Sequence, residues 1–136
     1  QMYWNRILGD EIKNQSVALL IYDGAVNQGR GAMKTVVGNA MRNGGSSISN
    51  DFVFTKSGIE KLNKLNQEKL FSDIYMGRRA RYENGQDAFK AGHLKRLSGI
   101  KFSQVNKMPT WAIISITVGV VSLLTLAAYK IYNKQK

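Results

Sequence analysis

The sequence contains no cysteine, and this absence excludes disulfide bonds and thiolate chemistry. It has one histidine, His93, with no carboxylate at metal-ligand spacing, so neither a zinc site nor a cofactor is predicted. Acidic residues are also scarce: 9 Asp and Glu stand against 20 Lys and Arg, a formal net charge of +11. Such an imbalance favours anionic partners, which include nucleic acid, anionic lipid headgroups and acidic cell-wall polymers.

Apolar residues recur at helical spacing along residues 1–105, and this period predicts helices joined by polar turns. The clearest stripes lie at 17–25 and 33–41. A turn-rich loop at 43–50 and a short extended piece at 51–54 follow them. The fold expected for this part of the chain is therefore all-α, with a small core.

Capping residues predict the later helices. Ser57 and Glu60 have the spacing of a capping box, which would open a short helix through Leu65. Asn66 is of a residue type that caps helices, and a further helix is expected to follow it. The inward residues of that helix are expected to be Leu70, Phe71, Ile74 and Tyr75. A last helix is expected at about 87–97, with Ala91, Leu94 and Leu97 inward.

The most apolar stretch of the chain runs from Trp111 to Tyr129 without a charged residue. Its roughly 19 residues would span about 28 Å as a helix, close to the hydrocarbon thickness of a bilayer. The rings at its ends suit the headgroup region, while the basic residues on both sides leave the orientation open. The sequence therefore predicts a linker at 103–110, a single transmembrane helix at 111–129, a basic tail at 130–136, and a single-pass membrane location.

Asp23 stands out among the acidic residues because it interrupts an apolar helical stripe. A carboxylate in such a place needs a hydrogen-bond partner or a cleft. Two interpretations stay open: Asp23 borders a ligand groove, or it bonds to neighbouring backbone or to a basic residue within the fold. The other acids are scattered and form no identifiable glycosidase-type pair, so no catalytic residue is predicted.

Basic residues concentrate in two later segments and could form one positively charged face. They are predicted to bind polyanions, with an ordinary solvated helix face as the alternative. Few aromatic residues are interleaved with them, so nucleic acid is not favoured as the partner. The residues of this predicted face are Arg78, Arg79, Arg81, Lys95 and Arg96.

Several segments, taken in order, carry a family resemblance. The aromatic pair Tyr3 and Trp4 precedes a Gly-Asp, and a helix then reads Asp-x-Ala-Val-Asn-x-Gly over 23–29. The likeness ends in a Gly-His-Leu-Lys-Arg-Leu segment that begins at Gly92. This series resembles the C-terminal half of the phage and prophage lysozymes of glycoside hydrolase family 108, over most of residues 3–102.

The resemblance implies that residues 1–102 form a lysozyme-like C-terminal lobe that binds peptidoglycan, in a bacterial cell envelope or in association with a phage. It also implies a glycan groove bordered by Tyr3, Trp4, Asp23 and Asn27. The Glu-Gly-Gly-Tyr motif that carries the family's catalytic glutamate does not occur in this chain. The Gly-Pro turn of the family's middle segment is also missing, from residues 51–58.

The expected function is therefore a membrane-anchored peptidoglycan-binding domain that does not cut the glycan by itself. Two alternatives stay open. The chain is the C-terminal part of an active peptidoglycan muramidase, or it is a basic membrane-tethered adaptor that binds anionic polymers or lipids.

Overall fold

The computed structural model describes residues 2–85 and 88–104, and within them it contains α-helices, two short 3₁₀-helices and no strand. The 3₁₀-helices are Gly9–Glu11 and Asn50–Phe52. The prediction of a mainly helical fold is confirmed for these residues. The α-helices are α1 (Met2–Arg6), α2 (Gln15–Asn27), α3 (Arg30–Asn43), α4 (Lys56–Lys64), α5 (Gln67–Asn84) and α6 (Lys90–Ser98).

Helices α2, α3 and α5 pack against one another and enclose most of the core. A Cβ at Gly77 of α5 would lie 3.0 Å from Cγ1 of Val36 on α3, so the helices approach closely there. The fully buried aliphatic side chains of the three helices include Val17, Leu20, Ile21, Met33, Val37, Met41, Leu70 and Ile74.

Side-chain caps fix where α2, α4 and α5 begin. Asn14 Oδ1 accepts from the backbone N–H groups of Ser16 and Val17 at 3.0 and 3.1 Å, which starts α2. Asn14 Nδ2 also donates to the carbonyl of Ser103 at 2.9 Å. The backbone N–H of Ser103 in turn donates to Ser16 Oγ, so the segment after α6 is held against the start of α2.

The predicted cap of α5 is confirmed, whereas that of α4 is displaced. Asn66 Oδ1 accepts from the N–H of Lys69 and starts α5. Helix α4 begins at Lys56, and its cap is Thr55, whose Oγ1 accepts from the N–H of Gly58. The predicted capping box at Ser57 is therefore wrong, because the chain already turns into the helix before that residue.

Three further predictions from the periodicity need correction. The piece at 51–54 is not extended, because residues 50–52 form a 3₁₀-helix. Tyr75 is only partly buried. In α6, which begins at Lys90, Leu97 is buried and Leu94 is half-buried, but Ala91 is exposed. A short helix at the edge of the fold buries a narrower face than its apolar spacing predicts.

The structure also corrects the predicted transmembrane helix and single-pass membrane location. None of the helices that it describes is both long and apolar enough to cross a membrane. The longest described helix is α5, and it carries charged side chains from its first turn to its last. The predicted span at 111–129 and tail at 130–136 lie outside the described residues, as does most of the predicted linker.

Candidate functional site

The carboxylate of Asp23 lies at the meeting point of three helices and binds two arginines. Asp23, on α2, is 6% exposed. Its Oδ2 accepts from Nη2 of Arg78 on α5 at 2.7 Å, and its Oδ1 accepts from Nε of Arg96 on α6 at 2.6 Å. We refer to Asp23, Arg78 and Arg96 as the Asp23 cluster. Of the two interpretations of Asp23, the structure shows the one in which it bonds to basic residues within the fold.

Arg78 is the fully buried member of the Asp23 cluster. Its side chain has no exposed surface. Besides Asp23, its Nη1 donates to the carbonyl of Leu20 at 2.8 Å, and Nη2 lies 3.4 Å from the hydroxyl of Tyr82. A buried guanidinium is costly unless it is paired and hydrogen-bonded, so these bonds are what allow a charge in the core. Arg78 therefore cannot contact a ligand at the surface.

A glycine in α2 makes room for this buried side chain. A Cβ at Gly24 would lie 2.4 Å from Sδ of Met33 and 3.0 Å from Nε of Arg78. That Nε has no hydrogen-bond partner within the described residues, so Gly24 meets the unbonded edge of the guanidinium. The adjacent Asp23 and Gly24 thus act together, since one provides the counter-ion and the other provides the space.

Arg96 is the exposed member of the Asp23 cluster. Its side chain is 60% exposed although its Nε is bonded to the buried carboxylate. The two terminal nitrogens of its guanidinium have no bond to any residue that the structure describes. Arg96 is therefore held at one edge by the protein and leaves the other edge to solvent.

The residues predicted to border a glycan groove divide between two places. Asn27 lies one turn after Asp23 on α2, where its Nδ2 donates to the Asp23 carbonyl at 2.7 Å. Trp4, on α1, packs edge-on against Tyr22 at 5.5 Å, and its Nε1 donates to Asp10 at 3.1 Å. Tyr3 is 42% exposed on the same short helix. The structure thus places Asp23 and Asn27 together and puts the aromatic pair on a different element.

The remaining residues of the predicted polyanion face are exposed, but they differ in their partners. Arg79 Nε donates to Glu83 at 2.7 Å, and this bond raises the pKa of Arg79. Arg81 and Lys95 are exposed, and their charged groups bond to no residue that the structure describes. The predicted face therefore contains one buried arginine, one anchored arginine and three surface cations.

A cleft between α3 and α5 was not predicted from the sequence. Its volume is about 380 Å³. It combines a guanidinium, a carboxylate and two side-chain amides with an apolar floor. We call it the α3/α5 cleft, and it is lined by Thr35, Val36, Asn39, Ala40, Asn43, Asp73, Met76, Gly77 and Arg81. The only sequence signal is the four-residue spacing of Asp73, Gly77 and Arg81, which places them along one side of α5.

Within residues 2–85 and 88–104, no group of three or more histidine, cysteine, aspartate or glutamate side chains could hold a metal ion. Comparison of the chain with protein-family models, with curated proteins and with solved structures gives no match. The likeness to the family 108 lysozymes thus stays a prediction from the sequence.

Proposed function

We propose that this protein binds peptidoglycan, and that Arg96 contacts the carboxylates or phosphates of the bacterial wall. The observation that carries the proposal is the state of Arg96, which is anchored at Nε by buried Asp23 and exposed at its outer edge. We propose that the protein binds peptidoglycan, and we propose no cleavage of it.

The geometry of Arg96 suits an anionic ligand. A guanidinium whose Nε is occupied still presents its two terminal nitrogens as a fork, which matches the two oxygens of a carboxylate or phosphate. Because Asp23 already fixes the side chain, less rotamer entropy is lost when a ligand binds. Peptidoglycan offers carboxylates on its peptides, and the polymers attached to it offer phosphates.

The charge of the chain supports the same ligand. A formal net charge of +11 attracts a polyanion over a distance of about 10 Å at moderate ionic strength. Binding is therefore expected to weaken as salt is raised.

Two of the segments behind the family resemblance contribute residues to the Asp23 cluster. Asp23 belongs to the Asp-x-Ala-Val-Asn-x-Gly element, and Arg96 belongs to the segment that begins at Gly92. The bond between their side chains joins residues that are 73 positions apart. These two segments, which are distant in the sequence, therefore meet in space.

The test is co-sedimentation of the full-length chain with purified peptidoglycan, for the native protein and for Arg96→Gln. We expect the substitution to weaken binding roughly tenfold or more, since a charge-assisted bidentate contact contributes about 1.5–3 kcal/mol. The matched control is Lys95→Gln, which removes the same charge from the adjacent exposed position and should change binding by less than about twofold, as for a screened surface charge.

Arg96→Lys separates charge from geometry, because lysine keeps the charge but cannot form the fork. It should bind nearly as weakly as Arg96→Gln. Circular dichroism of each variant checks that the helices are intact. Equal sedimentation of native protein and Arg96→Gln would refute the role of Arg96, and no sedimentation of the native protein would refute the function.

A further inference from the structure

The two helices that form the walls of the α3/α5 cleft run antiparallel. Val36 of α3 lies against Gly77 of α5. Ala40, further along α3, and Gly44, which directly follows that helix, share a crevice with Leu70, which lies earlier in α5. The cleft therefore extends along both helix axes. On each helix, the residues at its two ends are several positions apart.

Opposite charges mark the two ends on the α5 side. Asp73 and Arg81 both line the cleft, and eight residues of helix separate them by about 12 Å along the axis. Arg81 is exposed and bonds to no residue within the described part of the chain. Asp73 uses Oδ2 to accept from Lys69 at 2.6 Å, and its Oδ1 has no partner among the described residues. Arg81 can therefore donate hydrogen bonds to a ligand, and Asp73 can accept one at Oδ1.

Uncharged polar groups line the α3 side of the cleft, over an apolar floor. Asn43 and Thr35 line the α3 side, and their side chains make no bond to a described residue. Val36 and Ala40 are buried beneath them, and Gly77 adds no side chain to the floor. The cleft can therefore bond to amide groups along a ligand while small apolar side chains of that ligand meet the floor.

We infer that the α3/α5 cleft binds a short peptide that has a free carboxylate and a free amino group. The carboxylate lies at Arg81, the amino group lies at Asp73, and the amides between them face Asn39 and Asn43. About 12 Å corresponds to three or four extended residues at ~3.3 Å each. No aromatic ring is among the lining residues to stack on a sugar, which favours a peptide over a glycan.

The choice of a wall peptide rests on the proposed function, whereas the preference for a dipolar peptide rests on the cleft alone. The probe is the tripeptide Lys-D-Ala-D-Ala, which has free ends, a length of three residues and small apolar side chains at its two alanines. Its affinity for the full-length chain is measured by isothermal titration calorimetry and compared with that of the same tripeptide amidated at its C-terminus.

Arg81→Gln is expected to weaken tripeptide binding roughly tenfold or more, and amidation of the peptide should have the same effect on the native protein. The matched control is Arg79→Gln, because Arg79 lies two residues earlier on α5, carries the same charge and does not line the cleft. It should change the affinity by less than about twofold. Asn43→Ala, on the opposite wall, should weaken binding by about fivefold as one neutral hydrogen bond is lost.

Three results would overturn the inference: no heat of binding at millimolar tripeptide, equal binding of the amidated peptide, or equal losses in Arg81→Gln and Arg79→Gln. If the tripeptide fails while peptidoglycan sedimentation persists and depends on Arg96, the inference falls and the proposed function stands. If the tripeptide binds through Arg81 without sedimentation, the cleft stands and the proposed function falls.

Discussion

Arg78 and Arg81 lie three residues apart on the same helix, and the structure gives them opposite environments. Arg78 has no exposed surface and is bonded to Asp23 and to the carbonyl of Leu20. Arg81 is exposed at the α3/α5 cleft and bonds to none of the described residues. In the sequence both belong to one basic run, Arg78-Arg79-Ala-Arg81.

This contrast shows that the role of an arginine on α5 depends on whether a neighbouring helix provides a partner for its charge. The buried arginine has a carboxylate on α2 within 2.7 Å, and losing that partner would leave a charge in a low-dielectric environment. The arginine at the cleft is solvated and loses little if it is replaced. We therefore expect the Asp23 cluster to govern stability and the α3/α5 cleft to govern binding, with Arg96 the one member of the cluster that does both.

The largest effect is expected for Arg78→Ala. This change leaves buried Asp23 with one partner, deprives the Leu20 carbonyl of its donor and opens a cavity. It should lower the free energy of unfolding by about 3–5 kcal/mol. Urea denaturation followed by circular dichroism measures the loss, and Arg81→Ala should stay within about 0.5 kcal/mol of the native value. Similar losses of unfolding free energy in Arg78→Ala and Arg81→Ala would contradict the proposed difference between the two arginines.

Replacing both members of the buried pair tests whether an unpaired charge and a cavity together cause that loss. Asp23→Leu combined with Arg78→Met removes the buried ion pair and keeps most of the volume. We expect the double variant to be at least 2 kcal/mol more stable than Arg78→Ala, on the order of what replaced buried ion pairs show. If it is as unstable as the single variant, the loss comes from the ion pair and hydrogen bonds that Arg78 makes, and not from an unpaired charge or a cavity.

A smaller effect is expected for Gly24→Ala. The added Cβ would meet Met33 Sδ at 2.4 Å and Arg78 Nε at 3.0 Å, so the core must shift. Overpacking of this kind costs about 1–3 kcal/mol. Gly92→Ala on α6 is the control, because its Cβ would meet nothing within 4 Å and alanine favours a helix by up to about 1 kcal/mol. Thermal unfolding should therefore shift in opposite directions for the two variants.

The helices could be predicted from the sequence because their signals are local. The apolar stripes at 17–25 and 33–41 fall within α2 and α3, and Asn66 caps α5 as its side chain predicts. The cap of α4 was misplaced because Thr55 and Ser57 are both competent capping residues. The pattern alone could not show which of the two the backbone would use.

The Asp23 cluster could be predicted only in part. A carboxylate within an apolar stripe requires a partner, so Asp23 stands out in the sequence as unusual. Its partners lie 55 and 73 residues further along the chain, and no local pattern distinguishes Arg78 from Arg79 as the buried one. The α3/α5 cleft was missed for a related reason, since its lining is shared between two helices whose packing the sequence does not reveal.

The smallest effect is expected for Asp73→Asn, at the end of the α3/α5 cleft opposite Arg81. Its bond to Lys69 joins side chains that are 24% and 54% exposed, so its loss should change the free energy of unfolding by less than about 0.5 kcal/mol. The same change at Asp23 would leave buried Arg78 without a carboxylate and should cost several kcal/mol, on the order of 3 or more. Urea denaturation of the two variants compares them directly. A loss at Asp73 as large as that at Asp23 would mean that the carboxylate of the cleft holds the fold together, and the division between a stabilising cluster and a binding cleft would fail.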